Sequence, residues 1–370
     1  MAPGRRKLLY AAFLLAFLVS APSVVLFTAG YRLNWHTGDV VQTGLISVST
    51  IPKGADVAVD GQPVGASTPS VVDDVSPGEH VLTLRKDGYL PWEKRLVVES
   101  RRTAFAHGTL LYLDAAPLPT FVSPTVAEAA PQAGRFAYTI REGGWLETWV
   151  MEPETASRRL LSRIPASDQV LSLSLSPDGS HLALRESGKA GVTLIDTQTG
   201  AAAPAARVPG RQEWWEEGGA WRFEDAPDGF ALLRERVTGQ ARLIDLHEPD
   251  MPVVLDAVMR SFAWYGERLL YTDGFRLDVF DAEIGTDLEL SRQETLVRTL
   301  AWHPSGTTAL FVQDAGVSAI ELDPRGGHVV TRLMEGSGLG TPWVDPKWRT
   351  MYVFGEVDGV HGLYARPLQR

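Results

Sequence analysis

The chain opens with its longest uninterrupted apolar stretch. A basic cluster, Arg5 to Lys7, precedes an uncharged, mostly apolar run from Leu8 to about Thr28, and roughly 20 such residues let a helix cross a hydrocarbon core. This pattern predicts a cytoplasmic basic tail at 1–7 and a single transmembrane helix at 8–29. Basic residues that flank a first membrane helix tend to stay cytoplasmic, so we expect the bulk of the chain to be extracytoplasmic.

A cleaved signal peptide is the alternative interpretation of this segment. Val19, Ser20 and Ala21 form a small-residue sequence of the kind that signal peptidases process. Pro22 would then follow the cut directly, and the apolar run continues for several residues beyond it. The pattern therefore favours an uncleaved signal anchor, followed by a linker at 30–43.

Apolar and polar residues then alternate with a period of two, which is typical of half-buried strands. Tight-turn dipeptides, Asp60-Gly61, Pro77-Gly78 and Asp87-Gly88, separate the runs and supply the residues that hairpins require. They bound a compact β-domain at 44–101. The predicted strands are Ile46 to Thr50, Asp56 to Asp60, Val81 to Arg85 and Trp92 to Val98.

The order of glycines and prolines in this domain resembles that of a PEGA domain. The residues that carry the resemblance are Pro52, Gly54, Ala55, Val57, Val59, Asp60, Gly61, Val64, Gly65, Thr68, Pro69, the sequence Ser76-Pro77-Gly78-Glu79-His80, Lys86, Gly88 and Tyr89. The resemblance implies a small β-sandwich of bacterial and archaeal surface proteins that binds or spaces and carries no catalysis. Because so small a domain needs large aromatic residues in its core, we expect Tyr89 and Trp92 to be buried.

From residue 118 to residue 370 the chain repeats itself every 40 to 50 residues or so, the period of propeller blades. The clearest unit runs from Leu173 to Gly200 and has a Ser176-Pro177-Asp178-Gly179 turn between its first two strands. We expect six blades, or seven. Degenerate copies are Arg135 to Thr155, Trp221 to Leu246, Phe262 to Asp281, Leu300 to Asp323 and Trp343 to Ala365.

These repeats resemble WD-repeat-like propellers of the type found beside the Tol translocation system, which implies a binding platform rather than a reaction. The predicted fold class is therefore all-β, with a small β-sandwich and a β-propeller behind one transmembrane helix. Residues 102–117 are a linker or the strand that closes the ring, and Phe121-Val122 is the other candidate for that strand.

Composition excludes several classes of function. The formal net charge of -10 argues against nucleic acid, which requires dense basic patches, and the lack of cysteine removes disulfides and thiolate chemistry. The eight histidines are scattered, so we predict no metal and no cofactor. Acidic groups at Glu216-Glu217, Glu224-Asp225 and Asp273 could serve a glycosidase, but such residues beside glycine are usually solvated, and we predict no catalytic residues.

The candidate binding surface is aromatic. Core packing between blades is the alternative role of these tryptophans, whereas the acidic surroundings of the Trp214-Trp215 pair point to a stacking surface for a sugar or a peptide. The candidates are Trp145, Trp149, Trp214, Trp215 and Trp221.

Together these patterns predict a non-enzymatic, membrane-anchored protein of a bacterial cell envelope. The PEGA-like domain would act as a spacer, and the propeller would bind a surface protein or a polysaccharide. Two alternatives are a propeller-based carbohydrate-active or peptidase-like enzyme and a soluble periplasmic assembly factor produced by signal cleavage.

Overall fold

The computed structural model describes residues 3–28, 31–33, 40–166, 171–186, 192–202 and 221–370. Within these ranges the one long helix, α1 (Pro3–Thr28), contains Pro22. No helix among the described residues is both long and apolar enough to cross a membrane. The chain divides into two compact units, Met1–Asp114 with Arg325–Gly327 and Ala115–Pro324 with His328–Arg370.

The N-terminal unit contains a two-stranded ribbon and two larger sheets. The larger sheets have the strand orders β6-β3-β9 and β5-β4-β7-β8. Their inner faces bury Ile46, Val48, Leu82 and Leu84, and this pair of sheets forms the N-terminal sandwich. The strands are β1 (Tyr31–Leu33), β2 (Val40–Gln42), β3 (Gly44–Ile51), β4 (Asp56–Val59), β5 (Gln62–Ser67), β6 (Ser70–Val75), β7 (Gly78–Arg85), β8 (Trp92–Val98) and β9 (Thr103–Leu110).

Strand β9 extends the sandwich beyond the boundary at residue 101 that the alternation predicted. It pairs in parallel with β3, from Leu45 opposite Thr103 to Ile51 opposite Leu110. Strand β9 therefore forms one edge of the three-stranded sheet of the sandwich, whereas the sequence pattern predicted a linker or a propeller-closing strand at 102–117. Tyr89 and Trp92 are 9% and 4% exposed, as their predicted packing role requires.

The C-terminal unit is a succession of antiparallel meanders. Its strands are β10 (Leu118–Val122), β11 (Thr125–Glu128), β12 (Phe136–Glu142), β13 (Trp145–Glu152), β14 (Ser157–Pro165), β15 (Leu171–Leu175), β16 (His181–Glu186), β17 (Thr193–Asp196), β18 (Trp221–Glu224), β19 (Phe230–Glu235), β20 (Gln240–Asp245), β21 (Val253–Val258), β22 (Ser261–Tyr265), β23 (Arg268–Thr272), β24 (Arg276–Asp281), β25 (Thr286–Arg292), β26 (Thr299–Trp302), β27 (Thr308–Gln313), β28 (Gly316–Glu321), β29 (Val330–Glu335), β30 (Trp343–Val344), β31 (Thr350–Val357) and β32 (Val360–Pro367).

Within the described residues these strands form six sheets, which are the blades of a β-propeller. Blades 1 to 5 are β11–β14, β15–β17, β18–β21, β22–β25 and β26–β29, and blade 6 has the order β10-β32-β31-β30. Buried apolar clusters join blade 1 to blade 2, blade 3 to blade 4, and blade 4 to blade 5. The predicted succession of propeller repeats thus corresponds to real blades.

The first strand of the propeller completes its last blade. β10 pairs antiparallel with β32, with Leu118 opposite Ala365 and Phe121 opposite Leu363. An aromatic cluster that includes Phe136, Tyr138 and Phe354 fills the junction between blade 6 and blade 1. Phe121-Val122, one of the two closing segments that the sequence offered, is therefore the strand that joins the two ends of the propeller.

The turns between the first and second strands of blades 2, 5 and 6 share one design. Each begins with a polar residue before a proline, and the side chain of that residue accepts a backbone N–H from within the turn or from the first residue of the next strand. Ser176 Oγ accepts from His181 N at 2.9 Å. His303 Nδ1 accepts from Ser305 N at 3.1 Å, and Asp345 Oδ1 accepts from the backbone N–H two residues on at 2.7 Å.

Innermost strands of neighbouring blades are linked by tryptophan side chains. Trp264 Nε1 donates to the carbonyl oxygen of Asp225 at 2.8 Å, and Trp302 Nε1 donates to that of Ala263 at 3.0 Å. In both cases donor and acceptor lie 39 residues apart, about one repeat. These two tryptophans act in blade assembly, because each satisfies a main-chain acceptor of the preceding blade.

Candidate functional site

Trp145 and Trp149 lie on one face of β13, in blade 1. The opposite face of this strand carries Leu146 and Val150, which pack into the core shared with blade 2. Alternation along the strand then directs Trp145, Glu147 and Trp149 away from that core, toward the junction with blade 6. Two of the five candidate tryptophans are therefore brought together on a single sheet face.

Arginines of the outermost strand cover both of these tryptophans. The guanidinium carbon of Arg158 lies 5.1 Å from the centre of the Trp149 ring and 5.8 Å from that of Phe121. The guanidinium carbon of Arg163 lies 4.9 Å from the Trp145 ring. We call this set of five residues the arginine–aromatic face; it combines two cations with three rings at cation–π distance.

A β-bulge places both arginines on this face. Arg163 lies five positions after Arg158, so strict alternation would put the two side chains on opposite faces of β14. The register between β13 and β14 shifts after Trp149, because the outer strand carries one extra residue there, with Leu161 turned into the core shared with blade 2. As a result Arg158 pairs with Met151 and Arg163 with Glu147, on the same side of the sheet.

The electrostatics of the two arginines differ. Nε of Arg163 lies 3.1 Å from Oε1 of Glu147, whose Oε2 accepts a hydrogen bond from Trp149 Nε1 at 3.3 Å. No carboxylate of the described residues forms an ion pair with Arg158. Burial raises the pKa of the Tyr138 hydroxyl, which lies beside Arg158, and the arginine cation opposes that rise. Arg158 is thus the cation of this face that is available to an external anion.

The two tryptophans are not equivalent. Trp149 is half-buried and packs against the aromatic cluster between blades 6 and 1, which matches the core-packing alternative. Trp145 begins β13 directly after the Gly143-Gly144 turn and is 38% exposed. Of the two, Trp145 offers the larger aromatic surface to solvent.

The remaining candidates do not join the arginine–aromatic face. Trp221 begins β18, the innermost strand of blade 3, and is 37% exposed. The guanidinium carbon of Arg242 lies 5.2 Å from its ring, and Asp256 pairs with that arginine at 3.3 Å. Trp214 and Trp215 lie outside the described residues.

The acidic groups considered for glycosidase chemistry have structural contacts. Glu224 pairs with Arg234 at 2.5 Å. The Asp273 carboxylate accepts the backbone N–H groups of Phe275 and Arg276 at 2.8 Å each; burial opposes ionisation, but these bonds hold its pKa below the usual value. Glu216 and Glu217 lie outside the described residues. Across the ranges that the structure covers, no three His, Asp or Glu side chains group to hold a metal ion.

A serine, a histidine and an aspartate meet in the N-terminal sandwich, where they stabilise a turn. Nδ1 of His80 lies 2.7 Å from Oδ2 of Asp60, and Nε2 lies 2.7 Å from the carbonyl oxygen of Ser76. The Ser76 hydroxyl is farther from Nε2, at 3.5 Å. Because the main-chain carbonyl holds the second ring nitrogen, this histidine is poorly placed to activate the hydroxyl as a nucleophile.

The tryptophans of blade 1 were evident from the sequence, but the arginines that accompany them were not. The signal was present in Ser157–Pro165, which contains three arginines and no acidic residue in a chain of net charge -10. That two of these arginines share a face with the tryptophans depends on the bulge, which the alternation of residue types does not predict.

One family model matches part of the chain, and several solved structures are similar to it at low sequence identity. No curated protein matches the chain. Among solved structures, a chain in the crystal structure of the mitotic checkpoint complex is 12% identical, covers 70% of this chain and 93% of its own, and gives a TM-score of 0.46. Hsv2 of Kluyveromyces lactis is 12% identical, with 63% and 71% covered and a TM-score of 0.36. Residues 43–110, which include β9, match the model of the PEGA domain.

Proposed function

We propose that this chain is a non-enzymatic cell-envelope protein whose propeller binds another surface component, with the PEGA domain as a spacer between the propeller and a membrane anchor. The observation that carries the binding role is the arginine–aromatic face. Two guanidinium groups are stacked there on rings, and stacked arginines and tryptophans are the side chains that most often dominate protein interfaces.

The membrane anchor is supported by the chemistry of α1. Basic residues Arg5 to Lys7 precede its apolar run. Large apolar side chains along it are open to solvent, with Phe13 77% and Val25 64% exposed. Among the described residues little of the protein covers this apolar surface, and lipid is the solvent that would cover it.

Cysteine labelling in intact cells tests location and orientation, because the natural chain has no cysteine. Single substitutions Ala2→Cys and Glu283→Cys would be treated with a membrane-impermeant maleimide. We expect labelling at position 283, which lies in an exposed turn of blade 4, and none at position 2 until the cells are lysed. Equal protection of both positions would overturn an extracytoplasmic propeller.

The state of the N-terminus separates an anchor from a soluble assembly factor. We expect the mature protein to retain its first residues by intact-mass measurement and to stay in the membrane fraction after alkaline carbonate extraction. Cleavage after Ala21 would instead give a mature protein that begins at Pro22. Recovery of that shorter protein in the soluble fraction would establish the cleaved alternative.

In-cell crosslinking tests the binding role itself. The full-length chain, tagged at its C-terminus, would be crosslinked in intact cells and purified under denaturing conditions. We expect a discrete crosslinked product that is diminished in Trp145→Ala and retained in Val237→Ala, a control at an exposed turn of blade 3. Absence of any crosslinked partner for the natural chain, or turnover of a glycan or peptide by the purified protein, would overturn the proposal.

A further inference from the structure

We infer that the arginine–aromatic face binds an extended acidic segment of a protein, with two carboxylates recognised by Arg158 and Arg163 and an apolar side chain received between them. This inference deepens the proposed function and rests on it, since it names the chemistry of the partner at that surface. The juxtaposition that carries it is two arginines held on rings at either end of one exposed strand face.

Stacking prepares the arginines for carboxylate recognition. When a guanidinium stacks on an aromatic ring, the ring covers one of its flat faces. The N–H groups in its plane stay available to the two oxygens of a carboxylate. Arg158 lies against Phe121 and Trp149, and no described carboxylate pairs with it. Arg163 lies against Trp145, contacts Glu147 through Nε, and keeps 53% of its side chain exposed.

The spacing of the arginines specifies the partner. They stand opposite Met151 and Glu147, four residues apart on β13, which corresponds to ~13 Å along a strand. An extended partner therefore presents two acidic residues four positions apart on the same face. Leu160, opposite Trp149 and 40% exposed, lies between the arginines and faces the partner's middle residue, which we infer to be apolar.

Charge distribution favours an acidic partner at this strand in particular. β14 carries three arginines and no acidic residue, although the chain as a whole has a net charge of -10. The outermost strands β21, β25 and β29 each include at least one acidic residue, namely Asp256, Asp287, Glu289 and Glu335. A negatively charged segment is thus steered to blade 1 and away from blades 3, 4 and 5.

A protein segment fits this face better than a polysaccharide. Sugars bind tryptophan by stacking on an open ring face, whereas guanidinium groups already lie over Trp145 and Trp149. Exposed Leu160 between the cations matches an apolar side chain flanked by acids.

The test uses the full-length chain in detergent and a fluorescein-labelled peptide that has two glutamates four positions apart with a leucine midway. Fluorescence anisotropy would measure its dissociation constant at about 50 and about 300 mM NaCl. The control peptide has glutamine in place of both glutamates. We expect binding of the acidic peptide alone, weakened by salt.

Variants on one strand separate recognition from general attraction. Arg158→Gln and Arg163→Gln are expected to weaken binding about tenfold or more. Arg159→Gln is the matched control, because it removes the same charge from the neighbouring position on the opposite sheet face, and is expected to change binding less than about twofold. Arg158→Lys keeps the charge without the planar stack and should fall between the natural chain and Arg158→Gln.

The peptide and variant measurements separate recognition at this face from nonspecific attraction. Equal binding of the two peptides, or equal losses in Arg159→Gln and Arg158→Gln, would overturn it. If the acidic peptide fails to bind while the natural chain still captures its partner in cells, this inference fails and the proposed function stands. Urea unfolding of each variant identifies any loss caused by misfolding, and Arg158→Lys then provides the comparison in a folded background.

Discussion

Acid should destabilise the propeller through a single turn in blade 5. His303 is 1% exposed, and its Nδ1 accepts hydrogen bonds from the backbone N–H and the hydroxyl of Ser305. Burial lowers the pKa of His303 from 6.5 to about 4. Between these two pH values the imidazole of His303 is protonated in the unfolded chain but stays neutral in the folded chain. The free energy of unfolding therefore falls as the pH falls from about 6.5 to about 4.

The size of the effect follows from the two pKa values. Their difference, 6.5 − 4 = 2.5, corresponds to a limiting loss of about 3.4 kcal/mol. At pH 5, where only part of this has developed, the same linkage gives about 2 kcal/mol. This is a substantial fraction of the roughly 5–15 kcal/mol by which native proteins are normally stable.

Substitution of His303 by asparagine removes the titrating imidazole and preserves the turn. Its side-chain oxygen can accept the N–H two residues on, as Asp345 does in the equivalent turn of blade 6. Loss of the edge-to-face contact with Trp348, whose ring centre is 5.5 Å away, should cost His303→Asn about 1 kcal/mol at neutral pH. On going to pH 5 the free energy of unfolding of the variant should escape the loss of about 2 kcal/mol that the natural chain undergoes.

Urea unfolding followed by tryptophan fluorescence measures this difference, because nine of the eleven tryptophans follow residue 115. Curves at about pH 7.5 and about pH 5 give the change in free energy for each protein. His247→Asn, which removes an imidazole that is 60% exposed, controls for the loss of a histidine as such. An identical acid-induced change in His303→Asn and in the natural chain would refute the reasoning.

Three further predictions concern the propeller. Burial and the nearby carboxylates, opposed by the Arg276 cation, raise the pKa of Asp278 from 3.8 to about 6. Folding then favours the protonated carboxyl, so the free energy of unfolding rises by up to about 3 kcal/mol as the pH falls from about 6 toward 4, and Asp278→Asn should lack that gain in the same urea series. Trp302→Phe deletes the donor to the Ala263 carbonyl and should lower the free energy of unfolding by about 1 kcal/mol, or more through lost packing; an unchanged urea midpoint would contradict the role of the link. A Cβ at Gly362 would overlap the carbonyl oxygen of Phe121, so Gly362→Ala should cost about 1–3 kcal/mol and speed hydrogen exchange in β10, whereas unaltered exchange there would contradict it.

Local sequence patterns predicted elements that stand in regular alternation between recognisable turns. The run Trp92 to Val98 coincides with β8, and the repeat endings Leu194-Ile195-Asp196 and Leu243-Ile244-Asp245 coincide with the ends of β17 and β20. In these places the period-two pattern, the turn residues and the burial of the side chains all indicate the same strand bounds. The order of blades could be derived from the sequence for the same reason.

Elements defined by distant partners could not be predicted in this way. β9 reads Thr-Ala-Phe-Ala-His-Gly-Thr-Leu, and its place in the sandwich depends on pairing with β3, some sixty residues earlier. Arg158 and Arg163 share a face only because the register of β14 shifts beside them. The arginine–aromatic face therefore arises from the pairing of strands, about which the residue pattern of a single strand carries no information.

The shared sixth blade has a kinetic consequence. Leu118 and Ala365 pair although they lie 365 − 118 = 247 positions apart, so β10 stays without its partner strand until the chain has been synthesised through β32. Until then it presents an unpaired edge that another molecule's β32 can occupy. Slow assembly, dependence on holding chaperones and strand-exchanged dimers at high expression are the expected results.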